Sequence, residues 1–165
     1  MTGLLIEGLA DELASGIEVI RSTSELVYCT SSPHTGTVGA QFRHNLDIAV
    51  CLLRGFETGA IDFAARKRDK WVETHRDYAI GRFEHLIKDF RNVDVSRLGE
   101  HVLVRSEVEL SAWYRSELRR EIELVYSHTI HHHALIAEKL ASLGGEVPAN
   151  FGVAPSTLTY WKQAA

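Results

Sequence analysis

Apolar residues recur along this chain at the three- and four-residue spacing of amphipathic helices, in four long blocks separated by glycine, proline and small polar residues. Leu5, Leu9, Leu13, Ile17, Ile20 and Leu26 or Val27 form the first stripe and predict a helix from about Leu4 to Ser31, ended by SSPHTGT. A second helix is expected from Thr37 to the region between Gly55 and Gly59. Its apolar residues Phe42, Leu46, Ile48, Ala49, Leu52, Leu53 and Phe56 occupy more than one side, as in a helix central to a bundle. The third runs from about Asp69, a good N-cap residue, to Phe90, with Val72, Ala79, Phe83, Leu86, Ile87 and Phe90 as its buried stripe. The fourth spans about Ser111 to Leu143 on Leu118, Ile122, Val125, Ile136, Leu140 and Leu143, and Gly144-Gly145 signals its C-cap. Between the last two, the alternation of Val102 and Val104 reads as a short strand paired with residues Glu107 to Glu109. The fold expected is all-α: a four-helix bundle in one domain over residues 1–165, with a short β-hairpin before the last long helix.

Composition narrows the class of protein. A chain of 165 residues with 45% hydrophobic content can bury a core without disulfide support. The net charge of −4 provides no electrostatic footprint for nucleic acid or an anionic membrane. Cys29 and Cys51 suggest no disulfide framework, since Cys51 sits in the apolar run AVCLL, where a thiol behaves as a small hydrophobe. The first residues, MTGLLIEGLADELASG, carry acids and no basic cluster, unlike a signal peptide, and no apolar run reaches the length of about 18 residues that spans a membrane. A cytoplasmic protein is the expectation.

The nine histidines are the compositional oddity. Chance placement yields roughly half an i,i+4 His pair in such a chain, so one pair needs support from its surroundings. On the fourth helix His128 and His132 are one turn apart on the stripe that carries Val125, a spacing that lets two imidazoles share one cation at about 2.0–2.1 Å. His44, one turn before Ile48 on the second helix, is the third candidate ligand, and all three are expected to point toward the bundle interior. Spacing leaves two readings open, a metal site and histidines satisfied by buried hydrogen bonds. His131 and His133 are each rotated about 100° from His132 and are assigned to the second reading. His34, His75, His85 and His101 read as surface or loop residues. A zincin helix is excluded, because Thr129, Ile130 and His131 separate His128 from His132 and leave no glutamate for that mechanism. Glu84, Tyr126 and Glu138 are noted as possible helpers, and none stands out as a general base.

Three stretches, TVGAQFRHNLD at 37–47, GAIDFAARKRD at 59–69 and SHTIHHHALIAEKL at 127–140 followed by FGVAPST at 151–157, resemble the DinB/YfiT family of metalloenzymes. Together they span most of the chain, in the family's order: a lone histidine in helix two and an HxxxH pair in the last long helix. The resemblance implies an up-down-down-up bundle holding a divalent metal on His44, His128 and His132, zinc or nickel first, with iron, manganese and copper as alternatives. It also implies a small-molecule substrate, chemistry of the thiol S-transferase or hydrolase type, a low-molecular-weight thiol such as mycothiol, bacillithiol or glutathione as a second cofactor, and a homodimer. Relatives often carry further histidines where this chain has Gln41 and Ile48, so any role of those residues is absent here.

Asp47 is proposed as a carboxylate that orients an imidazole, the usual companion of a metal-bound histidine, against the alternative of a pair with Arg43 or Arg54. ARKRD at 65–69 reads as a solvated loop with Asp69 as cap. Phe151, Val153, Tyr160 and Trp161 are apolar residues able to fold back over the bundle, closing one end, padding a dimer interface or shaping a pocket. Three functional classes follow: a metal-dependent enzyme, a non-catalytic metal-binding or stress-related bundle protein, and an interaction scaffold with hydrogen-bonded histidines.

Overall fold

The structure, a computed structural model that describes residues 3–31 and 36–164, has seven α-helices among those residues, because two of the four predicted helices are interrupted and a terminal one is added. The first predicted helix divides into α1, Gly3–Ser22, and α2, Glu25–Cys29. Small hydroxyl residues cause the break. The side chains of Ser22 and Thr23 both donate to the Val19 carbonyl, and Ser24, in extended backbone, accepts from the Val27 N–H and starts a new helix. The second prediction holds closely as α3, Val38–Thr58, capped by the Thr37 side chain at one end and by left-handed Gly59 at the other. The third divides at His75, whose extended backbone ends α4, Lys70–Thr74, and precedes α5, Arg76–Arg91. Asp69 is the N-cap of α4, as its place in the sequence implies.

The four long helices α1, α3, α5 and α6, the last at Leu118–Ser142, pack around one core, α1 and α3 each lying against both α5 and α6. Leu9, Leu13, Ile20, Phe42, Leu52, Phe83, Phe90, Ile122 and Ile136 are all essentially inaccessible there. The fold is therefore mostly helical, though not purely α. Strands β1, Ala60–Ile61, β2, His101–Arg105, and β3, Trp113–Glu117, form a three-stranded sheet in the order β1-β2-β3. The hairpin expected from Val102 and Val104 is present, but its partner is Trp113–Glu117 rather than residues 107–109, with Val102 opposite Ser116 and Val104 opposite Tyr114. Residues 113–117, expected to open the fourth helix, are instead drawn into the ladder, and α6 starts only at Leu118, whose N–H donates to the Glu100 carbonyl. β1 adds a parallel pairing, Ala60 with Leu103, which ties the end of α3 to the sheet.

The segment after α6 behaves in two ways. Phe151 is buried and stacks on the His133 ring at 4.4 Å, so this part folds back as expected. Gly152 makes that return possible: its φ is +72°, and a Cβ there would lie 2.4 Å from the Ala134 nitrogen. Helix α7, Pro155–Ala164, by contrast buries none of its residues, and Tyr160 and Trp161 remain 67% and 50% exposed. No described helix is long and apolar enough to cross a membrane.

Helices α2, α3 and α4 meet at Gly39. A Cβ there would stand 2.1 Å from the Glu73 carbonyl oxygen and 2.6 Å from Tyr28, while the buried Tyr28 hydroxyl donates to the Val72 carbonyl at 2.7 Å. Backbone cannot retreat as a flexible side chain can, so Gly39→Ala is expected to destabilise the protein by about 2–4 kcal/mol in urea unfolding. Gly8→Ala on α1, where nothing lies within 4 Å of the added carbon, is expected to stabilise it by about 0.5–1 kcal/mol. Equal midpoints for the two variants would contradict this account of the α3–α4 contact.

Candidate metal centre

His44 enters from α3, and His128 and His132 from α6, on the line where these two helices pack together. The level is pinned by a neighbouring polar pair: the buried Asn45 side chain donates to the Thr129 carbonyl at 3.4 Å. One residue back on each helix, the Nε2 atoms of His44 and His128 are 3.0 Å apart. The three ring centroids lie 4.4–4.9 Å from one another, and one ligand nitrogen from each ring falls within 4.8 Å of the others. Two nitrogens bound to one tetrahedral ion at about 2.0–2.1 Å are separated by about 3.3 Å, so the set lies near ligand spacing.

The location differs from the expected one. All three histidines are half-buried at the edge of the bundle rather than enclosed in its interior. The residue of HTIHHH that enters the core is His133: it is fully buried, its Nδ1 shares a 2.6 Å hydrogen bond with Glu12, and it stacks on Phe151. Its exclusion from the ligand set agrees with this placement, and its carboxylate partner on α1 is the kind of satisfied histidine the alternative reading describes. His131 is exposed. His75 stacks on Trp71, His85 pairs with Asp89, and His101 lies on β2; His34 is outside the described residues. Glu84 binds Arg21 at the surface and Glu138 is exposed, away from any role at the centre.

The electrostatics favour neutral imidazoles, the form that binds a cation. Burial, then the neighbouring His128 and the charges of Arg66, Arg43 and Arg68, hold His44 down to about 4. Burial, His128 and His44 hold His132 down to about 3. His128 is lowered too, by burial and then by His131 and Arg66, against an opposing pull from Glu107. Gln41, one turn before His44, fixes the tautomer of His132: its Oε1 lies 2.6 Å from Nδ1, so that nitrogen carries the proton and the other keeps its lone pair.

Asp47 does not have the role expected of it. It is buried, its carboxylate pairs with Arg43 at 3.2 Å and accepts the Arg68 backbone N–H, and Arg43 in turn meets Glu73 at 2.9 Å. Asp47 thus ties the turn at 65–69 to α3, and Gln41 orients the imidazole. Gln41 was hidden in the sequence because a glutamine one turn from a histidine is an ordinary helix-surface residue; only the approach of α6 gives its amide a partner. The turn contains Arg68 at φ 53°, a left-handed conformation uncommon for a side chain of this size.

Compared with known proteins, the chain matches no family model and no curated protein. The centre is thus defined by its own geometry: three neutral imidazoles, no carboxylate or thiolate grouped with them among the described residues, and one half-exposed side.

The lowered histidines have a consequence for stability. In the metal-free protein the unfolded chain takes up protons at these residues near pH 6.5, whereas the fold resists until about 4, so the unfolded state binds more protons in between. Stability therefore falls as pH is lowered through that window. The melting temperature of metal-free protein is expected to drop between pH 7 and pH 5, and the double variant His44→Ala, His132→Ala to show a shallower drop. Parallel pH profiles for the two would refute the assignment.

Proposed function

We propose that this protein is a metal-dependent enzyme of the DinB/YfiT type, with His44, His128 and His132 holding a divalent cation and a small molecule entering from the half-exposed side. The observation that carries the reading is the convergence of three ligand nitrogens from two helices within 4.8 Å. A scaffold role would leave three neutral rings crowded together with nothing between them, and a closed structural site would need a fourth protein ligand. Three imidazoles suit zinc, nickel, copper or ferrous iron. When bound, the cation would supply Lewis-acid activation of a water or a thiol at neutral pH, and the resemblance favours S-transfer or hydrolysis on a small substrate.

The chain's own residues have defined parts in this reading. His44, His128 and His132 present lone pairs because their surroundings keep them unprotonated. Gln41 holds the His132 ring with its proton turned away from the centre. Asn45 and Thr129 keep α3 and α6 in register, so that the nitrogens from the two helices meet. An up-down-down-up order of the four long helices, and a homodimer formed with help from the exposed aromatics of α7, belong to the same proposal; the mutual packing of α1, α3, α5 and α6 and the exposure of Tyr160 and Trp161 support them.

The direct experiment is elemental analysis and metal titration of protein purified without an immobilised-metal column. About one equivalent of zinc or nickel is expected for the wild type. The variants His44→Ala, His128→Ala and His132→Ala should each weaken binding by more than 100-fold, and Gln41→Ala by about 10- to 100-fold, as for loss of a group that orients a ligand. Metal content unchanged by the three histidine substitutions would overturn the proposal.

A further inference from the structure

The turn between β1 and α4 places Arg66, Lys67 and Arg68 in succession, in a chain whose net charge is −4. The acids around the turn are already engaged. Asp69 caps α4, accepts from the Tyr78 hydroxyl and pairs with Lys67 and Arg82. Asp47 is held by Arg43 and by the Arg68 N–H, and Asp62 pairs with Arg105 at 2.8 Å. Arg66 has no such partner. Its Nε is buried without a hydrogen bond, and no ion pair involves it among the described residues. It borders a cavity of about 40 Å³ together with Asp47, Cys51, Arg54 and Arg82, and its charge also reaches His44 and His128 on the other side. A guanidinium can only donate, and it stays charged at any relevant pH.

We propose that Arg66 is an oxyanion-recognition residue: the small molecule handled at the three-histidine centre carries a carboxylate or a phosphate, and the Arg66 guanidinium binds it. The inference rests on the metal reading of that centre. Charge balance leads to it. Three neutral imidazoles cancel none of a cation's charge, and Arg66 adds to the positive potential beside them, whereas Arg43 is offset by Asp47 and Glu73. A neutral ligand would leave that potential standing and the Arg66 donor unmet. An anionic one relieves both and is drawn toward the site by the same field.

The test is isothermal titration of the full chain, metal-free and zinc-loaded, with two probes, acetate and inorganic phosphate. At least one probe is expected to bind the metal-free wild type with millimolar affinity. Arg66→Gln should weaken it by about 10- to 100-fold, the worth of a charge-assisted pair, and Arg66→Lys should restore part of the loss. Arg115→Gln, at an exposed position on β3, should change nothing. The probe that binds more tightly identifies the anion class. Circular dichroism and a thermal melt verify that each variant is folded. If neither probe binds, or if binding to Arg66→Gln equals the wild type, the proposal is overturned. Zinc bound through the three histidines with anion binding indifferent to Arg66 would remove this inference alone. Arg66-dependent anion binding in a protein that takes up no zinc would support the anion site and remove the metal reading instead.

Discussion

The approach of α3 to α6 is the contact on which the rest of the candidate centre depends. Its apolar part comes from Phe42, Leu46 and Leu52 on one helix and Val125 and Ile136 on the other, all buried in the common core. Apolar packing is non-directional and tolerates a shift of a fraction of a turn; a hydrogen bond does not. The Asn45–Thr129 contact supplies the directional element, and because both residues are buried, losing it would leave polar groups stranded at a cost of about 1–3 kcal/mol. His44 and His128, each one residue away from a member of that pair, inherit its register.

The edge position of the histidines then separates the two kinds of residue in HTIHHH. Facing the core, His133 finds Glu12 and Phe151 and becomes part of the packing. At the rim, His128 and His132 find His44 and Gln41, and no carboxylate to compensate a proton. Partial burial lowers all three of these imidazoles while one side remains accessible. Such a balance is what a binding centre requires, since full burial would close it and full exposure would let water protonate and screen the rings.

The basic turn at 65–69 is joined to this centre through Asp47. With its carboxylate committed to Arg43 and to the Arg68 backbone, Asp47 fixes the turn against α3 one helical turn beyond His44. Arg66 is thereby carried to a place where its charge is felt by two of the three histidines. The electrostatic character of the site is accordingly set by a loop far from His128 in sequence, and the resemblance stretch 59–69 acquires a physical role alongside the two histidine-bearing stretches.

Helical periodicity alone carried the long helices and the choice of His44, His128 and His132, because an i,i+4 pair and a 3.6-residue stripe are local properties that survive whatever the chain packs against. Capping chemistry likewise made Thr37, Gly59 and Asp69 legible as boundaries. Other features were decided by partners distant in sequence. Residues 113–117 have both helical neighbours and strand-forming aromatics, and pairing with β2 settles them as strand. The breaks at Ser24 and His75 follow from docking of short helices around Gly39 and Tyr28. Asp47 and Gln41 exchanged their expected parts because the side chain that reaches a histidine depends on which face α6 covers. Sequence thus determined which residues could serve as ligands, and tertiary structure decided which rings meet, what orients them and what charge surrounds them, since those are distances between segments that local pattern does not encode.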